Sequence, residues 1–287
     1  PNHTHFDVLG RLIETGKPIL AEKPLCTTPS DCDALLKKLD GYQAPFWVAM
    51  EYRYMPATAR FLERVAAGDV GELKMLGIRE QRYPFLPKVG DWNRFSENTG
   101  GTLVEKCCHH FDLMRLITGS EAVRVFASGA LDVNHRDEIY AGRVPDMLDN
   151  ALVIVDFANG VRASLELCMF AEGAEPQEQL TAIGNAGKLD AFIPAPARFW
   201  PKRQQEASRV VLSRRDQSKP EIDQLSLPAD IEAAGDHHGS TYRQHCAFAD
   251  AVVNGAPVAV TAADGCAAVR LGAAAHESIR IGEVIRL

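Results

Sequence analysis

Hydrophobic positions change period several times along the first fifty residues. Phe6, Leu9, Leu12 and Ile13 recur at helical spacing, and Gly16 stands where a helix C-cap belongs. Pro18-Ile19-Leu20-Ala21-Glu22 is a short apolar run that reads as a strand, stopped by Lys23-Pro24. Thr28 is placed as an N-cap with Pro29 at the first helical position, Leu35, Leu36 and Leu39 on the buried side, and Gly41 closing the helix. Phe46-Trp47-Val48-Ala49-Met50 is the next strand. Helix, strand, helix, strand is the rhythm of a parallel doubly wound sheet. In such sheets functional groups gather at the carboxyl ends of strands, and Lys23 and Glu51 to Arg53 lie there.

Beyond Pro56 the pattern lengthens. A helix runs to Ala67, Gly68-Asp69-Val70-Gly71 turns the chain, and Leu73 to Tyr83 reads as a long strand. Ala151 to Phe157 and Val161 to Phe170 form a hairpin about Asn159-Gly160, in which Val161, Ala163, Leu165, Leu167 and Met169 alternate with Arg162, Ser164, Glu166 and Cys168. A second hairpin is centred on Gly184-Asn185-Ala186-Gly187. One apolar and one mixed face predict a large open, mostly antiparallel sheet with helices on one side. Residues 201–235 are charged and poor in apolar positions, and read as a peripheral strand plus a long loop. Thr241 with Gln244 makes a capping box opening a helix through Val253 that Asn254-Gly255 closes, and an Ala-rich helix follows from Asp264 to about Ile281. The chain thus reads as α/β, with residues 1–52 the distal part of a doubly wound domain. Residues 53–287 form an α+β domain whose closing helices span 241–254 and 264–281.

Candidate chemistry concentrates between Thr99 and Leu113. Gly100-Gly101 permits a close turn, and the run after it reads as one helix continuing through Met114, Leu116 and Ile117. On one helix Glu105 and His109 stand i,i+4 and share a face. A carboxylate that accepts from one ring nitrogen fixes the tautomer and leaves the other nitrogen to take a proton near neutral pH, as a general base with its orienting group does. A solvated surface pair has the same spacing, so both readings stand. The run Cys107-Cys108-His109-His110 predicts no metal centre, because adjacent helical residues point about 100° apart and a paired C-x₂-C spacing is absent.

Composition narrows the class of partner. With 287 residues, 46% of them apolar and 24% charged, the chain can bury a large core in two domains. A net charge of -7 argues against nucleic acid or an anionic membrane, and no apolar run approaches a membrane span, which leaves a small molecule. Seven scattered cysteines fit reduced thiols in a cytoplasm better than a disulfide framework.

Several motifs fall in order along nearly the whole chain: Pro1-Asn2-His3-Thr4-His5, Ala21-Glu22-Lys23-Pro24, Glu51-Tyr52-Arg53-Tyr54-Met55-Pro56, Gly100 to Asp112, and Phe248…Gly255…Pro257…Asp264…Ser278…Gly282. With them the sequence resembles the Gfo/Idh/MocA family of NAD(P)-dependent oxidoreductases, and within it the inositol dehydrogenase-like branch. The resemblance implies a Rossmann domain followed by a substrate domain, and hydride transfer between NAD or NADP and a secondary CH–OH of a sugar or cyclitol. It implies Lys23, Glu105 and His109 as the catalytic set, with Asn2, His5, Glu22, Lys23 and Pro24 lining the nicotinamide end of the cofactor. Arg53 is a further cofactor candidate, and Tyr52, Lys106 and His238 join Lys23 and His109 as substrate candidates; His238 sits in a His237-His238-Gly239 run that resembles a substrate-side loop of the branch. The mixed face of the open sheet is the expected homodimer or homotetramer contact, as it often is in the family.

The residues agree with the chemistry on physical grounds. Oxidising a secondary alcohol requires a base for the hydroxyl proton, a cation for the developing alkoxide and a cofactor face for the hydride; His109 and Lys23 supply the first two. Two positions depart from the family: Glu105 where Asp is usual, and Cys107 where Gly is common. No Gly-x-Gly-x-x-Gly follows a first strand; the family places that turn about 60 to 90 residues before the Pro-Asn-x-x-His element. The sequence therefore reads as lacking the N-terminal part of the Rossmann domain, with the expectation that the chain as given is inactive, prone to aggregate and blind to NAD and NADP. Three functions are consistent with these residues: a sugar or polyol dehydrogenase, a non-catalytic sugar- or partner-binding homologue, and a sugar-modifying enzyme that uses tightly held NAD for transient oxidation.

Overall fold

The computed structural model describes residues 1–196, 207–228, 230–231 and 237–287. Helix α1 (His5–Ile13) leads into β1 (Ile19–Ala21), α2 (Pro29–Lys38) and β2 (Phe46–Val48), and β1 pairs parallel with β2, Ile19 opposite Phe46. Thr28 caps α2 as its position predicts, its Oγ1 accepting from the Asp31 N–H at 3.1 Å with Pro29 at N1. Leu9 and Leu35 are buried, while Leu36 and Leu39 are half-buried.

Helix α3 (Pro56–Ala66) precedes, and the short helix α4 (Ser96–Thr99) follows the first strand of, a nine-stranded sheet in the spatial order β10-β9-β8-β7-β3-β6-β5-β4-β11. Its strands are β3 (Leu73–Gln81), β4 (Ala122–Ala130), β5 (Asn150–Phe157), β6 (Arg162–Cys168), β7 (Glu178–Gly184), β8 (Gly187–Ile193), β9 (Ser208–Arg214), β10 (Glu221–Leu225) and β11 (Ile285–Arg286). Only β3–β6 is a parallel pair; the other neighbours are antiparallel. The expected alternation on β6 is present: Val161, Ala163, Leu165, Leu167 and Met169 are buried, and Arg162, Ser164 and Glu166 are exposed. The outer face also shows Met75, Phe126, Leu152 and Ile154 to solvent.

Three local expectations need correction, and one strand has no counterpart in the sequence reading. The stretch after Gly101 is not one helix: it forms α5 (Thr102–Glu105), turns at Lys106-Cys107, and restarts as α6 (Cys108–Thr118). Within residues 201–235 the described part holds two strands, β9 and β10, paired as an edge hairpin. On β9 the buried positions are Ser208, Val210 and Leu212, of which only the last two are apolar, so the polar neighbours mask the two-residue period. Strand β4 was unpredicted, since it buries only Val125 and Ala127. The Thr241–Gln244 box does not form: Gly239 precedes helix α7 (Ser240–Asn254) in left-handed backbone, and the Thr241 hydroxyl turns to Glu51. A true capping box opens helix α8 (Ala262–Ile281), where Thr261 Oγ1 accepts from Asp264 N–H at 3.2 Å and Asp264 Oδ2 accepts from Thr261 N–H at 2.9 Å.

Helix α8 ties the two sheets together. Near its start a Cβ at Gly265 would lie 3.1 Å from Val48 of β2, and near its end Ser278 Oγ accepts from the Ala127 N–H of β4 at 3.0 Å. At Gly272 a Cβ would stand 2.5 Å from the Leu103 carbonyl, so only glycine lets α8 approach the backbone of α5 this closely.

Candidate active site

The site is built at the Gly100-Gly101 turn. Both glycines are left-handed (φ 80° and 86°); a Cβ on Gly100 would stand 2.5 Å from the Thr27 carbonyl, and one on Gly101 would strike His276. His276 Nε2 accepts from the Leu103 N–H at 3.0 Å, satisfying one of the free donors at the start of α5. Burial pushes His276 down to about 4, which keeps its ring a neutral acceptor.

The turn at Lys106-Cys107 then decides what Glu105 does. Its carboxylate does not reach His109 as helical spacing predicts; it is taken by Lys23, whose Nζ donates to Oε1 at 3.2 Å and to the Glu105 carbonyl at 2.9 Å. An ammonium is the stronger partner for a carboxylate than a neutral imidazole. Burial works against both charges, yet the pair more than offsets it, leaving Lys23 raised and Glu105 lowered from their ordinary ranges. His109 instead stacks face to face on Tyr52, ring centres 4.0 Å apart, with Nδ1 enclosed and, among the described residues, without a hydrogen-bond partner. Burial first, then the Lys23 and Lys106 charges, holds His109 well below the usual histidine range, so the ring is neutral at physiological pH.

Lys23, Glu51, Tyr52, Glu105, Lys106 and His109 line one cavity of about 250 Å³ together with Arg82, Tyr83, Trp92 and His237. Lys23 stands just past β1, Glu51 and Tyr52 just past β2, and Arg82 just past β3, so strand ends deliver most of the chemistry. Glu51 is held by the Thr241 hydroxyl and lies 3.5 Å from His237 Nε2; burial raises the carboxyl and drops the histidine to about 3.

Beneath this wall lies a buried polar layer. Lys106 Nζ meets Glu80 Oε1 at 2.9 Å and donates to the Tyr52 hydroxyl. Arg82 Nη1 reaches Glu80 Oε1 at a long 3.4 Å. His110 Nε2 lies 3.2 Å from Glu80 Oε2 but out of hydrogen-bond alignment. Glu178 stands opposite Glu80 in the β3–β7 register, and burial with the Glu80 charge pushes it up to about 8.

The structure gathers Lys23, Tyr52, Glu105, Lys106 and His109 of the expected residues and leaves others elsewhere. Arg53 is not at this cavity: it grips Asp112 with two N–H groups, at 2.6 and 2.5 Å, and the Ala259 carbonyl at 2.7 Å, because the buried Asp112 carboxylate demands a partner. His238 turns away to the Pro194 carbonyl at 3.0 Å, and its neighbour His237 faces the cavity instead. Both residues have left-handed backbone, which sends adjacent side chains in different directions. Asn2, His5, Glu22 and Pro24 do not line the cavity; they flank it. His5 Nδ1 is fixed on the Pro24 carbonyl at 2.8 Å, Asn2 buries an amide Nδ2 without a partner, His3 stands edge-on to Trp92 at 6.4 Å, and Glu22 is exposed. Sequence reasoning missed Arg82 and Trp92, which no motif announces. Among the described residues no group of three or more His, Cys, Asp or Glu is placed to hold a metal, all seven cysteines are free, and no helix is long and apolar enough to cross a membrane.

The sequence and the fold both match known proteins. Residues 63–287 match the Gfo/Idh/MocA model described as "Oxidoreductase family, C-terminal alpha/beta domain", and residues 1–50 match its companion, "Oxidoreductase family, NAD-binding Rossmann fold". The chain is 25% identical over 279 residues to inositol 2-dehydrogenase of Rhizobium meliloti (strain 1021), covering 97% of this chain and 76% of that protein. It is 26% identical over 290 residues to scyllo-inositol 2-dehydrogenase (NAD(+)) of Bacillus subtilis (strain 168), covering 100% and 75%. Its fold superposes on the crystal structure of a myo-inositol dehydrogenase from Corynebacterium glutamicum ATCC 13032 with a TM-score of 0.75 at 22% identity, covering 100% and 78%.

Proposed function

Since the chain belongs to the Gfo/Idh/MocA family of NAD-binding oxidoreductases, we propose that it oxidises a secondary alcohol of a sugar or cyclitol with NAD or NADP. The observation that carries this reading is the pairing, on one cavity, of a charged Lys23 with a neutral His109. The inositol dehydrogenases among the relatives support the substrate class.

Lys23, fixed by the carboxylate and carbonyl of Glu105, donates to the substrate hydroxyl oxygen and stabilises the negative charge that grows there. His109 accepts the hydroxyl proton at Nε2, the nitrogen its enclosed Nδ1 leaves to the cavity. The stack on Tyr52 takes the place of an orienting carboxylate in holding the ring plane, and Lys106 holds Tyr52 in turn. The residues fit a nicotinamide beside this pair. Asn2 offers a buried amide donor with no partner, His5 and Pro24 form a fixed edge next to Lys23, and Glu22 closes β1 on the exposed side. When bound, the cofactor supplies the acceptor of the hydride.

The division into a nucleotide part, residues 1–52, and a substrate part, residues 53–287, belongs to the same reading, as do a cytoplasmic setting and a homodimer or homotetramer. Met75, Phe126, Leu152 and Ile154 support self-association through the outer face of the sheet. Initial rates of the whole enzyme, with a complete nucleotide domain, on a panel of polyols and aldoses with either NAD or NADP test the activity. Reduction of the nicotinamide by at least one polyol or aldose is expected, and no reduction with any of them overturns the proposal.

A further inference from the structure

Resting on the dehydrogenase reading, we propose that the substrate is an acidic sugar or polyol whose carboxylate is received by Arg82 and Lys106 on the cavity wall. Both side chains are almost fully enclosed, yet both line the cavity. They arrive from separate elements, the end of β3 and the turn between α5 and α6, so their convergence is built by the fold.

Charge accounting points to a missing anion. Lys23 is matched by Glu105 at 3.2 Å. Arg82 and Lys106 share one carboxylate, Glu80, through contacts of 3.4 and 2.9 Å. The layer's second carboxyl, Glu178, forms no ion pair with Arg82 or Lys106 among the described residues, and burial with the Glu80 charge pushes it up, away from the charged form. Glu51, the other carboxylate on the wall, is turned to the Thr241 hydroxyl and His237, and among the described residues it forms no ion pair with Arg82 or Lys106. The imbalance shows on Lys106, which burial and the Arg82 charge pull below the ordinary lysine range. A carboxylate entering from the cavity relieves that repulsion, whereas a hydroxyl brings no charge.

The donor geometry agrees. Among the described residues Arg82 spends Nε on the Tyr83 carbonyl at 3.1 Å and one Nη on the long contact to Glu80. A guanidinium has five N–H donors in a planar fork that matches a carboxylate, so donors remain. Lys88 adds a cation to the lining.

The test compares the whole enzyme, with NAD, on a hexuronate and its neutral aldose and on an aldonate and its neutral polyol. The acidic member of each pair is expected to have a kcat/KM at least tenfold higher. Arg82→Met is expected to bring that ratio to within a few fold of one, mainly by raising KM for the acid, and Arg82→Lys to retain part of it. Should Arg82→Met fail to fold, the parent and Arg82→Lys still decide. Equal kcat/KM for acid and neutral members, with polyols turned over, overturns this inference and leaves the dehydrogenase reading standing. If nothing reduces NAD, the dehydrogenase reading falls, and tryptophan fluorescence, to which Trp92 of the lining contributes, decides the inference alone. Saturable quenching by the hexuronate at least tenfold tighter than by the aldose supports it; equal or absent quenching overturns it.

Discussion

Two ionic clusters lie on the same sheet and differ in kind. At the β9–β10 edge, Arg64 meets Asp69 at 2.6 Å, Glu221 at 2.6 Å and Asp223 at 3.1 Å, while Arg60 takes Asp223 at 2.7 Å and Arg214 takes Asp69 at 2.6 Å. Around Arg64, three guanidiniums face Asp69, Glu221 and Asp223, each of which has two arginine partners, and Arg60 adds Glu63 at 3.1 Å. Under the cavity, by contrast, Arg82 and Lys106 share Glu80, and Glu80 Oε2, Glu178 Oε1, His109 Nδ1 and both nitrogens of His110 are enclosed without a hydrogen-bond partner among the described residues. A closed, balanced network is what packing alone selects. An unbalanced one, with an unpaired acid and unused donors, persists where an incoming group completes it.

The largest effect expected from this contrast is at His109. His109→Asn keeps roughly the volume and loses the base, so kcat/KM falls by about a hundredfold or more while the melting temperature stays within a few degrees. A variant within a few fold of the parent removes His109 from the mechanism. The parent's own pH profile sharpens the point. Because His109 is held below its ordinary 6.5, the base stays unprotonated into mild acid, and the acidic limb of kcat/KM has its midpoint below 6.5. A midpoint at or above 6.5 contradicts the assignment.

Arg64→Met breaks the balanced cluster instead. It takes one partner from each of three carboxylates while Arg214 and Arg60 remain to them, and loss of such partly exposed charge-assisted contacts costs on the order of 1 kcal/mol of stability. Denaturant midpoints report that loss, with kcat of the folded enzyme unchanged. A drop in kcat without loss of stability erases the distinction between the clusters.

Glu105→Gln comes next. With Glu105 ionised, Lys23 stays charged past its ordinary 10.5, so the parent has no alkaline limb from this group below that pH. Without the carboxylate, burial is the largest influence left on Lys23 and lowers its pKa; activity then fades as pH rises through the new value. The variant should lose about tenfold more kcat at pH 9 than at pH 7 relative to the parent. An unchanged profile means that Glu105 does not govern Lys23.

How far these roles were legible in the sequence follows from how local they are. Lys23, Lys106 and His109 stand in short motifs, and the helix-strand rhythm of residues 1–52 together with the alternation on β6 carried the fold class. The partner of Lys23 lies 82 positions away, and no periodicity links them. The same spacing rule that paired Glu105 with His109 fails because the chain turns at Lys106-Cys107, where no glycine or proline marks the break. Arg82 looks like any charged residue at a strand end until β7 brings Glu178 against Glu80, and choosing His237 over His238 required the backbone angles of a loop. Strand β4 was unreadable for the opposite reason: its outward face is apolar enough to blur the alternation, with Val123 and Phe126 exposed.

The smallest expected effect, at Glu178, separates the two clusters most cleanly, because they titrate in different windows. Glu178 has its folded value raised to about 8 against an ordinary 4.5, so the folded protein keeps a proton that the unfolded chain has released. The stability this group contributes is therefore complete below about 4.5 and is lost as pH rises through about 8. Glu178→Gln resembles the protonated form and cannot ionise, so its melting temperature should gain on the parent's between pH 5 and pH 8, by a few degrees. Asp69 runs the other way. The Arg64 hydrogen bond leads in holding it below 3.8, so its contribution is complete above that value and disappears only in stronger acid. An Asp69→Asn variant should accordingly lose stability by the same amount at pH 5 and at pH 8. Parallel melting curves for Glu178→Gln and parent across that range would mean that the layer beneath the cavity is as balanced as the edge cluster, and the charge excess assigned to Arg82 and Lys106 would go with it.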